Sequence, residues 1–344
     1  MPASKRIVYF DILNTAACFF VLFMHCNGIV HNYDGSPEWK QSMAVETIGY
    51  WAVPVFFMLS GATLLNYRKR YTTAEFLKKR FLKTGLPFLI WSFGMLVYKM
   101  LNGSIVWQGK RAFAELFLNS RIEGVYWFFI PLFAVYLCMP VLSKLAEDKK
   151  ILQYMTAVGV GLCIVFPFIC TVFDISFDSN FYFPITRGYI IYVLIGYLLH
   201  NTDIKPILRI VIYCSGIAGA CIRYFHTVSA SSESGVLETA TWGYNALPCF
   251  MLAVAVFVFV KQLSEKAVAP DSKVSKLAGW LSGAAFGIYL MHIFVMNIIV
   301  SLFEIDKSDL WWRLSGPVIL FVICLFAVKI IQKIPYIGKY VIPS

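Results

Sequence analysis

Charge is scarce in this chain. Of its 344 residues 14% are Asp, Glu, Lys or Arg and 59% are hydrophobic, where a soluble domain carries about 25% and 45–50%. Long polar stretches are lacking, which excludes a large soluble domain. The nine cysteines form no C-x-x-C pair, so a zinc ribbon or dithiol redox motif is excluded; within apolar segments they read as small hydrophobes. No residue set has the spacing of a metal site. The basic start at Lys5 and Arg6 resembles a signal peptide, but no small-residue cleavage site follows and the apolar run is as long as a bilayer span, so it reads as an uncleaved first helix. No inverted repeat is apparent, which disfavours the common secondary-transporter designs.

What the chain has is apolar stretches of spanning length, at about 7–30, 44–66, 84–102, 126–145, 151–173, 184–200, 207–227, 242–261, 279–302 and 312–332. The mean hydropathy is +0.70. These imply an all-α, polytopic membrane protein of about ten helices, forming one domain over residues 1–344. The stretches at 84–102 and 184–200 are the weakest. Lysine and arginine concentrate in alternate loops: Lys5 and Arg6, the cluster from Arg68 to Lys83, Lys149 and Lys150, Lys205, and Lys261 to Lys276. The positive-inside rule then puts both termini in the cytoplasm. The net charge of +11 follows from this topology and needs no nucleic-acid partner; lipid headgroups or another anion at the inner face are its expected partners.

Polar side chains within apolar helices are costly and mark function. The first segment reads YFDILNTAACFFVLFMHC, with Asp11, Asn14 and His25 its strongly polar residues. Asn14 and His25 are eleven residues apart, about three turns, and share a face; Asp11 lies roughly 40° away and ~21 Å down the axis, too far to orient the imidazole. Glu46, near the outer end of the second segment, is the acid at better depth. His292 sits at membrane depth in SGAAFGIYLMHIFVM, whereas His31, His200 and His226 fall at span ends. In VPVFFMLSG, Pro54 predicts a kink, and Ser60 with Gly61 permits close helix packing. The stretch NYRKRYTTAEFLKKRFLKTGLPFLIW reads as an amphipathic helix at the inner surface before Pro87 opens the third span. It suits lipid headgroups, or a phosphate clamp with Arg80 and Lys83 on one face at i, i+3. In EGVYWFFIPLFAVYLCMPVL, Tyr126, Trp127 and Tyr136 read as interfacial aromatics and Glu123 as a loop acid.

Taken in order, FDILNTAACFFVLFMH, VPVFFMLSG, FLKKRFLKTGLPFLIW, YWFFIPLFAVYLCMPVL, GYIIYVLIGYLL, YNALPCFMLAVAVFVF and AFGIYLMH resemble the integral-membrane acyltransferase-3 family, in its branch of surface-polysaccharide O-acetyltransferases. The resemblance covers nearly the whole chain. It implies acetyl-CoA or another acyl-CoA as cytoplasmic co-substrate, no metal, and a glycan or lipid-linked saccharide as acceptor at the outer side of a cell (inner or plasma) membrane. It maps an essential histidine onto His25, a late histidine onto His292, and a basic motif onto Arg80 and Lys83, the second more often arginine. The family's arginine eleven residues before the histidine is Asn14 here, and a further histidine motif reads VYW.

The expected activity is O-acyl transfer. His25 is the general base that takes the proton from a sugar hydroxyl, with His292 and Glu46 as further catalytic candidates. Arg80, Lys83, Lys79 and Asn14 are the candidates for holding the donor. A membrane carrier for a glycan or small anion, and a non-catalytic acyl-CoA-binding protein, stay open beside it. Oligomeric state and acyl length are not encoded in any motif.

Overall fold

The computed structural model describes residues 6–178 and 180–343; Lys5, one of the inner bases, lies outside them. Among the described residues every regular element is helical. In chain order these are α1 (Val8–His25), α2 (Pro37–Gly49), α3 (Ala52–Leu64), α4 (Thr73–Arg80), α5 (Leu86–Leu101), α6 (Lys110–Leu118), α7 (Phe129–Leu145), α8 (Lys149–Val160), α9 (Phe166–Val172), α10 (Ile190–His200), α11 (Pro206–Ser234), α12 (Leu247–Ala267), α13 (Lys273–Leu302), α14 (Leu310–Lys333) and α15 (Ile337–Val341). Nine helical segments among them are long and apolar enough to cross a membrane. The tenth expected span is the short apolar helix α10.

Proline shapes three of the spans. Pro54 interrupts the second span, which otherwise runs as one helical segment from Pro37 to Lys69. It falls in the first turn of α3, where its missing N–H is harmless, and the chain breaks four residues earlier, at Tyr50–Trp51 between α2 and α3. The Tyr50 carbonyl, which Pro54 cannot bond, accepts the Cys249 thiol instead at 3.7 Å. Pro87, in contrast, does not open the third span. Helical structure begins at Thr73, capped by Thr72 and Glu75, and runs through a π turn at Phe81–Gly85 into α5. A second π turn at Gly161–Val165 joins α8 to α9 just before Pro167. In each, the residue preceding proline donates five residues back, Leu86 to Phe81 and Phe166 to Gly161. A wider turn accommodates a residue without an N–H while the helix continues.

Helix α1 is the wedge of the bundle. Leu13, Ala17, Val21 and Met24 belong to the large core with α3, α5, α7, α10 and α12. Cys18, Leu22 and Cys26 belong to a second core with α13 and α14. On the helical projection Asn14 and His25 fall on the seam between those two faces.

Helix α10 is lodged against α3 by two reciprocal glycines. A Cβ at Gly61 would fall on the Val193 carbonyl, and one at Gly196 on the backbone of Met58. Lys261, grouped by sequence with the inner-loop bases, is buried and donates to the carbonyls of Leu199 (2.8 Å), His200 (3.0 Å) and Thr202 (3.3 Å), closing the end of α10. This short helix therefore has its free carbonyls met by protein, as apolar surroundings require. Gly61→Ala or Gly196→Ala forces backbone apart and is expected to cost ~3 kcal/mol, as severe overpacking does. The check is the thermal unfolding midpoint of the purified protein in detergent, with Gly94→Ala, which meets open space, as the neutral control.

Candidate active site

Helices α1 and α13 run parallel in a fixed register. Asn14 Nδ2 donates to Ser282 Oγ at 3.0 Å and to the Ser282 carbonyl at 3.2 Å, and the Cys18 thiol reaches the Ala285 carbonyl at 3.4 Å. Two turns further on, His25 Nδ1 lies 2.7 Å from His292 Nε2. The two rings are nearly parallel, 8° apart. His25 is part-exposed and His292 fully buried.

The bonds of His292 decide where the protons sit. Its Nδ1 is 2.7 Å from the Tyr289 carbonyl, which can only accept. His292 therefore carries its proton on Nδ1, and its Nε2 is a lone pair in the neutral ring. His25 must then donate from Nδ1, which leaves the lone pair of His25 on Nε2. The result is a directed chain from His25 through His292 to a backbone carbonyl, ending in one unengaged basic nitrogen on the more accessible ring.

Two tyrosines hold the acceptor end in place. Tyr289 Oη donates to the Val125 carbonyl at 2.5 Å, and Tyr126 Oη donates to the Leu290 carbonyl at 2.7 Å. Tyr126 is thus a buried tie between the 124–128 turn and α13, not an interfacial aromatic. Glu123 is ion-paired with Lys99 at 3.0 Å, which anchors the same turn to α5.

On the side of the pair towards the N-terminal end of α1 lies a cavity of about 320 Å³. Asp11, Asn14, Ser60, Arg80, Thr84 and Ser282 line its polar part, and Phe56, Phe128 and Tyr289 its deep apolar end. It stops one helical turn short of His292. Arg80 Nε is buried there without an acceptor, and the guanidinium lies 5.8 Å from the rings of both Phe76 and Tyr136. Asp11 is ion-paired with Arg6 at 2.5 Å and does not reach the histidines.

The structure separates residues that sequence spacing had grouped. Lys79 and Lys83 line a different cavity, of about 450 Å³, with Lys339 and Tyr340 of the C-terminal segment. The π turn starting at Phe81 shifts the helical register after Arg80, so Arg80 and Lys83 do not share one face. Glu46 is buried in α2 and bonds neither histidine; α2 packs against α11, whose Arg223 touches the Tyr50 ring one turn after Glu46. His200 bonds Tyr9 Oη at 2.6 Å and joins α10 to α1. Arg223 escapes the sequence reading, although a cation inside an apolar span is itself a functional signal. The Tyr289–His292 bond escapes it because every helical residue has a carbonyl three positions back. Among the described residues no group of three His, Cys, Asp or Glu side chains has metal-site geometry.

Fold and geometry together define a polytopic membrane protein with a histidine pair inside the bundle, beyond the end of a cavity. The chain belongs to the acyltransferase-3 family: the family's acyltransferase domain matches residues 7–331. It is therefore a membrane acyltransferase. No curated protein sequence and no solved structure matches it significantly.

The tautomers are open to direct measurement. With ¹⁵N-histidine, both His25 and His292 are expected as Nδ1–H tautomers, each with a Nε2 lone pair. A protonated Nε2 on neutral His25 would reverse the chain. Removing either ring leaves a buried polar group unmatched, at about 1–3 kcal/mol.

Proposed function

We propose that this protein transfers an acyl group, acetyl in the simplest case, from cytoplasmic acyl-CoA to a hydroxyl of a cell-surface or lipid-linked glycan, at a cell membrane. The observation that carries the reading is the paired histidine with a free Nε2 on His25, placed beyond a cavity that opens beside Arg80.

In this reading the coenzyme A phosphates meet Arg80 at the inner mouth, with Lys79 and Lys83 of the adjoining cavity as further cations for the nucleotide end. The narrow pantetheine arm lies in the cavity along Asn14 and Ser60. The thioester passes Tyr289 and Phe128 to reach His25. The acceptor hydroxyl gives its proton to His25 Nε2 as its oxygen forms the ester bond to the acyl carbon. The C–S bond breaks, and the departing thiolate takes that proton to leave as coenzyme A. His292 accepts from His25 Nδ1 throughout, holds the ring, and disperses the positive charge while His25 is protonated. His292 is in this scheme a positioning residue, and Glu46 takes no proton from the reacting hydroxyl.

Asn14 favours one second reading. It is bound to Ser282 and brings no charge to the cavity, where the family pattern has an arginine; without that charge the protein would bind acyl-CoA and not turn it over. Purified protein in liposomes with labelled acetyl-CoA separates the two. Release that depends on an envelope glycan extract, and falls ~10²–10⁴-fold in His25→Ala, supports transfer; a smaller loss is expected for His292→Ala. Arg80→Ala is expected to raise the KM for acyl-CoA about 10–100-fold, the worth of one charge-assisted hydrogen bond. Donor binding without turnover, over several acyl donors and extracts, would establish the non-catalytic reading.

A further inference from the structure

At the outer end of the bundle a second polar site is assembled from four segments, and the transfer chemistry makes no use of it. Its centre is Arg223, 1% exposed, on α11. One guanidinium nitrogen, Nη1, donates to the carbonyls of Trp242 (2.9 Å) and Thr241 (3.4 Å). Nε and Nη2 have no acceptor. One helical turn before Tyr50, whose ring Arg223 touches, Glu46 is 4% exposed and its Oε2 has no donor. The two side chains are electrostatic neighbours and yet form no ion pair. A buried guanidinium and a buried carboxyl that keep unpaired atoms are expensive unless something polar lies between them.

Aromatic rings build the wall of this site. The Arg223 guanidinium sits 3.6 Å from the centre of the Tyr50 ring. Tyr50 stacks on Tyr244 at 4.2 Å and 10°, and Tyr244 stacks on Trp127 at 5.6 Å and 19°. All three residues are part-buried. The stack ends at Trp127, the neighbour of Tyr126, whose hydroxyl holds α13 two residues before His292. It thus leads from Arg223 to the turn that anchors the histidine pair.

From this juxtaposition we infer that Arg223, Glu46 and the Tyr50–Tyr244–Trp127 stack form a binding subsite for a neutral sugar ring of the acceptor. The inference rests on the acyltransferase reading for the ligand's role as acceptor. A hydroxyl group donates one proton and accepts at its lone pairs, so one hydroxyl can accept from Arg223 Nη2 and donate to Glu46 Oε2. Neighbouring hydroxyls on a pyranose supply a second partner for Nε. The faces of Tyr50 and Tyr244 are taken up by the stack, so the C–H groups of the sugar meet ring edges. An anionic sugar satisfies Arg223 equally but sets a second negative charge beside Glu46, so the pair selects against it.

The test reads sugar binding without any donor. Saturation-transfer NMR is recorded on the full chain in nanodiscs with methyl glycosides of glucose, galactose and mannose, and with glucuronic acid. Wild type is expected to give transfer from at least one neutral glycoside and little from glucuronic acid. R223K, which keeps the charge but loses the fork, and E46Q, which keeps the shape, are each expected to weaken that binding about tenfold or more, while the unfolding midpoint shows the variants folded. Several outcomes overturn the inference: no neutral glycoside binding to wild type, preference for glucuronic acid, or variants that bind sugar as wild type does whether or not their midpoint falls. Sugar binding that is lost in the variants, in a protein that releases no acyl group from any donor, would sustain the subsite and reject the transfer reading.

Discussion

Helices α1 and α13 lie parallel, joined at Asn14–Ser282, Cys18–Ala285 and His25–His292. Each partner is offset by 267 or 268 positions in sequence, so both helices climb the same distance between contacts and the two histidines meet at one depth. A slip of one residue would rotate His292 by roughly 100° and break the pair. The two cores flanking α1 oppose such a slip, because its buried faces are filled on both sides. The register is thus supported mainly by apolar packing, and the polar contacts along the seam select it against alternatives of similar packing quality.

Irregular backbone places several of the side chains that matter. The break imposed by Pro54 leaves Tyr50 between two helices, where its ring meets Arg223 on one side and Tyr244 on the other. The π turn ahead of Pro87 turns Arg80 into one cavity and Lys83 into another. Such turns are tolerated at membrane depth only where protein satisfies the freed groups, and the Cys249 thiol on the Tyr50 carbonyl is a case in point.

The histidine pair divides the interior. Towards the N-terminal end of α1 is the cavity with Arg80 and Asn14; towards its C-terminal end are Glu46, Arg223 and the aromatic stack. Phe128 and Tyr289 close the deep end of the cavity. Both are held by the 124–128 turn, through its own chain and through the Tyr289–Val125 bond. That turn therefore contacts the cavity, the pair and the outer stack at once, the last through Trp127.

The sequence by itself determined the class of the molecule. Hydropathy and loop charge give a multi-pass helical protein because each span must satisfy its own backbone and bury an apolar surface, which is local information. It also marked His25 and His292 singly, as polar groups at depth. It placed Gly61 at a close helix contact, as its Ser-Gly neighbourhood suggested. The tertiary structure alone decided that the histidines bond each other, which tautomers they hold, that Arg80 and Lys83 part company, and that Glu46 faces Arg223 instead of His25. Helical spacing reports which residues share a face of one helix. It is silent on which face of another helix that meets, since many packings bury nearly the same apolar area, and only the complementary fit of all the helices together selects among them.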